Sequence, residues 1–263
     1  MNKIITILQA RYSSTRLPGK VLLPILGQPM LIQQINRIKN STLHGQIVIA
    51  TSTHHEDEKI VNCCKENGIT YYCGKLDDVL DRFYQAAGLY QPDHIVRLTG
   101  DCPLIDPQII DQVIQTHLDG NFDYTTNALK PTYPDGLDVE IFKLSALKTA
   151  WIEATLNSDR EHVTPYIYRN NDQFNIGHIY NNIDLSHLRW TVDWQIDFDL
   201  IKKIFENLFP YNPRFTFSDI LQFIERHPEL KTINTYHTRN EGLQKSLQED
   251  QLISRAQRNV QML

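Results

Sequence analysis

Three cations, Arg11, Arg16 and Lys20, fall in the twelve-residue segment QARYSSTRLPGK, Gln9 to Lys20, with Ser13, Ser14 and Thr15 between them. Guanidinium forks take phosphate oxygens in pairs, and a lysine adds a point charge. With small hydroxyls and backbone N–H groups, such a segment suits a triphosphate. It matches neither of two common phosphate loops. Gly19-Lys20 is followed by Val21, with no glycine where a Walker A loop needs its first. A single glycine also rules out the dinucleotide fingerprint. Pro18 and Gly19 bend the chain so that Lys20 points back. A solvated turn with incidental ion pairs is the alternative, but the segment follows the apolar run KIITIL, and the carboxyl end of a strand favours function.

Two acids can serve the same chemistry. Asp101, in RLTGDCPLIDP, lies just beyond the run HIVRLT, and Asp193 ends the strand-like run RWTVD. Carboxylates converging from separate strand ends suit a hard cation such as Mg2+, which takes one or two of them plus phosphates. Asp106 is better placed than Asp101 to cap the helix after Pro107. Asp197 and Asp199 crowd Asp193 and stand as alternatives, as caps or as the ligand itself. At a third strand end, DDVLDRF brings Asp78, Asp81 and Arg82. Asp78 there either lines a pocket or caps a helix, and Asp81 can pair locally with Arg82 or Lys75. Thr51 and Ser52, after QIVIA, either reach a ligand or cap the next helix. The acidic run HHEDE from His54 reads as a solvated helix start.

These groups need strands to carry them. KIITIL, QIVIAT, ITYYC and HIVRLT alternate with helices predicted near Pro29–Lys39, Glu56–Glu66, Val79–Leu89 and Pro107–Leu118. Such alternation predicts an α/β fold, a doubly wound, mostly parallel sheet. Its ligands bind outside the carboxyl ends of the strands, after Leu8, Thr51, Cys73 and Thr99. From about 123 to 188 the alternation gives way to short strand-like pieces (DYTTN, VEIF, FNIGHIY) around helices near Leu144–Leu156 and His162–Arg169. An inserted smaller subdomain is expected there. Helices follow near Phe198–Asn207 and Ser218–Arg226. One domain over 1–232 then leaves a polar tail, 233–263, with weak helical periodicity near Leu243–Ile253.

Composition sets the outer bounds. The chain has 263 residues, 41% hydrophobic and 22% charged, enough for one ordinary core. A net charge of -5 with no basic stripe argues against a nucleic-acid partner, so any phosphate contact is local. No run approaches a membrane span and MNKIITILQA is too short for a signal peptide, so a cytoplasmic protein with no membrane partner is expected. Cys63, Cys64, Cys73 and Cys102 make neither a C-x-x-C pair nor zinc-type spacing, and read as reduced thiols. No Ser-His-Asp or Cys-His arrangement can be argued from spacing, so no covalent intermediate is expected.

QARYSSTRLPGKVL resembles the nucleotide-binding signature of sugar cytidylyltransferases, the enzymes that make CMP-3-deoxy-manno-octulosonate and CMP-sialic acids. The likeness runs on through ATST at 50–53, DDVLDRF, RLTGDCPLIDP, DGLDVE at 135–140, DREHVTP at 159–165 and RWTVD. It is nearest to the spore-coat polysaccharide branch, whose end the tail segment NEGLQKSLQED also resembles. The resemblance implies a Rossmann-like nucleotidyltransferase fold, CTP and a small sugar acceptor as partners, Mg2+ as cofactor and a homodimer. It places Mg2+ on Asp101 and Asp193. It gives Arg11, Lys20 and Asp101 catalytic roles in transfer to a sugar hydroxyl with loss of pyrophosphate. The nucleotide would be held by Leu8, Gln9, Ala10, Arg11, Ser14, Arg16, Lys20, Thr51, Asp78, Arg82 and Thr99. The acceptor would meet Asp135, Asp138 and Glu140 together with Arg160, Glu161 and His162, although Gly136 can simply make a turn and His162 can be structural. Cys102 stands where the octulosonate enzymes have an acidic residue. The acceptor expected is therefore another acidic 2-keto-3-deoxy sugar, of the sialic, pseudaminic or legionaminic kind. Three other readings are a nucleotidyltransferase acting on a phosphorylated acceptor, a nucleotide-sugar glycosyltransferase using Asp197-Phe198-Asp199 as a D-x-D motif, and a non-catalytic nucleotide-binding protein.

Overall fold

The structure, a computed structural model, describes residues 2–261. In chain order the elements are β1 (Ile4–Gln9), β2 (Pro24–Ile25), β3 (Gln28–Pro29), α1 (Met30–Ile38), β4 (Gln46–Ser52), α2 (Glu58–Glu66), β5 (Tyr71–Gly74), α3 (Val79–Tyr90), β6 (His94–Thr99) and α4 (Pro107–Asp119). There follow β7 (Tyr124–Thr126), β8 (Glu140–Lys143), α5 (Leu144–Glu153), α6 (Asn157–His162), α7 (Pro165–Arg169), β9 (Ile176–His178), α8 (Gln195–Leu208), α9 (Phe217–Arg226) and α10 (Glu241–Gln261).

Seven strands form one sheet in the order β5-β4-β1-β6-β8-β7-β9. β1, β4, β5 and β6 are parallel, β8 opposes both β6 and β7, and β9 is parallel to β7. β1 shows why helices cover both faces. Its Ile5 and Ile7 pack into a core with α3 and α5, while Leu8 packs into a second core with α1, α4, α8 and α9. Period-two alternation thus feeds two apolar layers. Aspartates start two of the flanking helices: Asp106 caps the N-terminus of α4 and Asp78 that of α3.

The chain leaves β1 toward β4 on one side and returns to β6 on the other. The loops after β1 and β6 therefore flank the switch point of the sheet, where a crevice opens. The pieces within 123–188 join this same sheet as β7, β8 and β9, with α5, α6 and α7 beside them. Two expectations are corrected. The helix expected over His162–Arg169 is instead two short helices, broken at Val163, whose φ is 73°, and restarted by Pro165. The run RWTVD forms no ladder. Its strand-like pairing is one parallel bridge, Asp135 to Arg189, extended by the Val192 N–H donating to the Asp101 carbonyl at 2.8 Å.

Candidate active site

The segment after β1 is folded by its own backbone. Ser14 and Gly19 both donate N–H groups to the Tyr12 carbonyl, at 2.8 and 2.9 Å. Gly19 has φ 72°, and a Cβ there would lie 2.8 Å from the Tyr12 ring, so glycine is required for the turn that delivers Lys20. The acidic run after β4 holds the other side. Buried Asp57 accepts the Tyr12 N–H at 2.6 Å and the Ser52 N–H at 3.1 Å, which makes it a strut rather than part of a solvated helix start.

Lys20, 8% exposed, sits between the two acids named from the sequence. Its ammonium donates to Asp101 at 3.1 Å, Asp193 at 2.9 Å and the Val192 carbonyl at 2.6 Å. Burial works against the charge, but Asp101 and Asp193 outweigh it and raise the Lys20 pKa. In return, Lys20 overcomes the burial of Asp101 and holds that carboxyl down at about 2, and Asp193 is lowered in the same way. Arg16 reaches Asp193 at 2.6 Å. Arg11 is exposed and has no hydrogen-bond or ion-pair partner among the described residues.

These groups line one cleft of about 740 Å³, which also receives Gln9, Ala10, Ser14, Arg82 and Thr99 from the nucleotide set. Asp135, Asp138, Glu140, Glu161 and His162 line it from the acceptor set. Four expected residues lie outside its lining. The Leu8 side chain is buried in the core, and only its backbone runs up to the cleft. Thr51 is fully buried within β4. Asp78 and Arg160 are spent on each other, at 2.6 Å, tying α6 to the start of α3. Arg82 is at the cleft but is committed to the carbonyls of Lys75 and Leu76, at 2.7 and 2.9 Å, so the local pair with Asp81 does not form. Asp197 is no candidate ligand: fully buried, it accepts the N–H groups of Asp193 and Trp194.

The acceptor side is acidic and internally paired. Arg97 of β6 bonds Glu140, directly across the antiparallel ladder, and Gln9 at 3.2 Å. Glu140 also accepts from Thr164 at 2.7 Å. Gly136, at φ 110°, lets the loop before β8 press against Trp190, where a Cβ would lie 2.5 Å from backbone carbon. That contact lets Asp135 meet Arg189 at 3.0 Å. Burial and the neighbouring Asp138 push Asp135 up to about 7 in spite of Arg239 and Arg189. A carboxyl raised in the folded state keeps a proton that the unfolded chain has released, so its share of stability is lost as pH rises from about 4 toward 7. Asp135→Asn is expected to remove that slope, read from urea unfolding midpoints across the window.

The residues missed by sequence reasoning are Arg97, Arg189 and the tail. A charged residue inside an apolar strand, as in HIVRLT, was the available signal for Arg97. The tail gave little signal, yet Glu241, Ser246 and their neighbours form one wall of the cleft. Burial raises the Cys102 thiol well above its ordinary value, which makes it a poor nucleophile. Lys20 takes Oδ2 of Asp101, while Oδ1 lies 3.5 Å from the Cys102 thiol, and Thr99 also bonds the carboxylate. Among the described residues no group of three His, Cys, Asp or Glu encloses a metal. A hard divalent ion on these two carboxylates would complete its shell with phosphate and water, as Mg2+ does.

The sequence model of the family described as Cytidylyltransferase matches residues 5–250. An uncharacterised protein from Methanocaldococcus jannaschii is 37% identical over 237 residues, covering 89% of this chain and 95% of that protein. The spore coat polysaccharide biosynthesis protein SpsF of Bacillus subtilis is 32% identical over 241 residues, covering 88% of this chain and 98% of its own length. A cytidylyltransferase structure from Leptospira borgpetersenii superposes with a TM-score of 0.84 at 32% identity, over 92% of this chain and 100% of that one. Among the described residues no helix is long and apolar enough to cross a membrane. With a basic loop and two acids meeting at the switch point of the sheet, and likeness along nearly its whole length, the chain belongs to the cytidylyltransferase family of CTP-dependent nucleotidyltransferases.

Proposed function

We propose that this protein transfers the cytidylyl group of CTP to a sugar hydroxyl, releasing pyrophosphate, with Mg2+ held by Asp101 and Asp193. The observation that carries this reading is the Lys20 ammonium held between those two carboxylates beneath Arg11 and Arg16. In-line displacement at the α-phosphorus asks for positioning and charge neutralisation rather than covalent chemistry. Arg11, Arg16 and Lys20 hold the triphosphate and neutralise the departing pyrophosphate. The metal supplies a Lewis acid for the α-phosphate. Asp135, Asp138, Glu161 and His162 face the acceptor and orient its hydroxyls.

For the acceptor, the reading is an acidic 2-keto-3-deoxy sugar of the nonulosonic type, destined for a surface polysaccharide. Its support is the relative named for spore coat polysaccharide biosynthesis, together with Cys102 at the position that is acidic in octulosonate enzymes. The same reading makes the active form a homodimer, which sedimentation would reveal as twice the chain mass.

The test is pyrophosphate release with Mg2+ and each of four nucleoside triphosphates, against acidic sugars, neutral sugars and sugar phosphates. Release confined to CTP and one acidic keto sugar is the expected result. Release with a sugar phosphate alone would replace the acceptor, and release with another triphosphate would replace the nucleotide.

A further inference from the structure

The tail does more than close the chain. Three of the side chains facing the acceptor are already occupied by it: Arg239 bonds Asp138, and the Ser246 hydroxyl bonds Glu161 at 2.7 Å and His162 at 3.1 Å. The same segment reaches the nucleotide side, where one Glu241 oxygen lies 2.9 Å from the Arg16 guanidinium. Its other oxygen accepts the Thr238 N–H at 3.1 Å and so fixes the first turn of α10. Asp250 fastens the far end by accepting the N–H groups of Asn157 and Ser158 at the start of α6.

Glu241 and Asp193 are thus the anions on Arg16 in a site whose proposed ligand is a polyanion. A carboxylate and a phosphate oxygen take the same guanidinium fork, so they compete for it. We propose that the C-terminal segment is a strap released by the triphosphate, which takes Arg16 from Glu241 and thereby frees the acceptor residues held by Arg239 and Ser246. This rests on the triphosphate reading of the basic loop and adds an order to it: nucleotide enters first, and the acceptor half opens in response. The coupling follows from one rigid connection. Glu241 and Ser246 lie on the same helix little more than a turn apart, so losing the first anchor loosens the second.

Hydrogen exchange on the full-length chain tests this, with Mg2+ and either CTP, tripolyphosphate or CMP. With CTP or tripolyphosphate, amides of 9–20 should slow while those of 241–250 speed up several-fold, and CMP should leave 241–250 unchanged. Glu241→Gln keeps an acceptor for Thr238 but removes the charge from Arg16. It should raise exchange in 241–250 without ligand and tighten tripolyphosphate about two- to fivefold, the size of a half-exposed ion pair. Slowed 9–20 amides with unchanged or slowed 241–250 amides would overturn the strap and leave the nucleotide reading standing. A loop that no triphosphate slows would overturn both.

Discussion

Lys20→Ala is expected to lower CTP-dependent pyrophosphate release by about 10²–10³-fold, a loss of the size seen when one preorganised polar contact of an active site is removed. The ammonium has three N–H donors and meets three acceptors, Asp101, Asp193 and the Val192 carbonyl, at 2.6 to 3.1 Å. Without it, two carboxylates share the cleft floor with less cation between them, and Asp101 loses the partner that holds its pKa near 2. Lys20→Arg should rescue little, because a planar fork does not fit a pocket built for three converging acceptors. If Lys20 acts on the transition state, kcat and kcat/KM fall together while CTP affinity changes less. A variant that keeps its kcat and loses only CTP affinity would confine Lys20 to ground-state binding. One that keeps both would remove it from the site.

Much of this was legible because the crossing of the sheet is written in local pattern. Four apolar runs alternating with amphipathic segments fix a parallel sheet, and the carboxyl ends of its strands fix where polar side chains gather. Arg11, Lys20 and Asp101 could be found that way, whereas the DGLDVE acids, which lead into β8, came only with the family resemblance. What pattern conveys poorly is which partner a charged side chain takes. Asp78 and Arg160 are 82 residues apart and cancel each other away from the cleft, while Asp57, in a run that looks merely solvated, bears the basic loop. RWTVD looked like a strand and is an irregular segment, held by single backbone bonds to Asp135 and Asp101 and by the ion pairs of Arg189 with Asp135, Asp193 and Asp197 instead of a ladder. The tail was least legible. Its polar sequence packs through hydrogen bonds and ion pairs, and such contacts leave no hydrophobic period to read.

Arg189→Met should cause the largest loss of stability. The guanidinium is 6% exposed and bonds Asp135 at 3.0 Å, Asp193 at 2.8 Å and Asp197 at 3.1 Å, so one substitution takes an ion-pair partner from three acids at once and leaves fully buried Asp197 with none among the described residues. Those neighbours raise its own pKa in spite of burial, and it stays charged at any working pH. Breaking a buried pair by removing one partner costs about 3–5 kcal/mol, because the charge left behind has no compensation. At about 2–4 °C per kcal/mol for a chain of this size, the melting temperature should drop by roughly 6–20 °C. Lysine at 189 should recover only part of this, since one ammonium cannot span three acids fixed on separate segments. Lys202→Ala is the control: its pair with Glu206, at 3.8 Å on an exposed helix face, should be worth less than about 0.5 kcal/mol. Calorimetry on the three variants separates a structural hub from a surface ion pair. A small shift for Arg189→Met would mean that water reaches these carboxylates, and that Asp193 does not owe its position under Lys20 to Arg189.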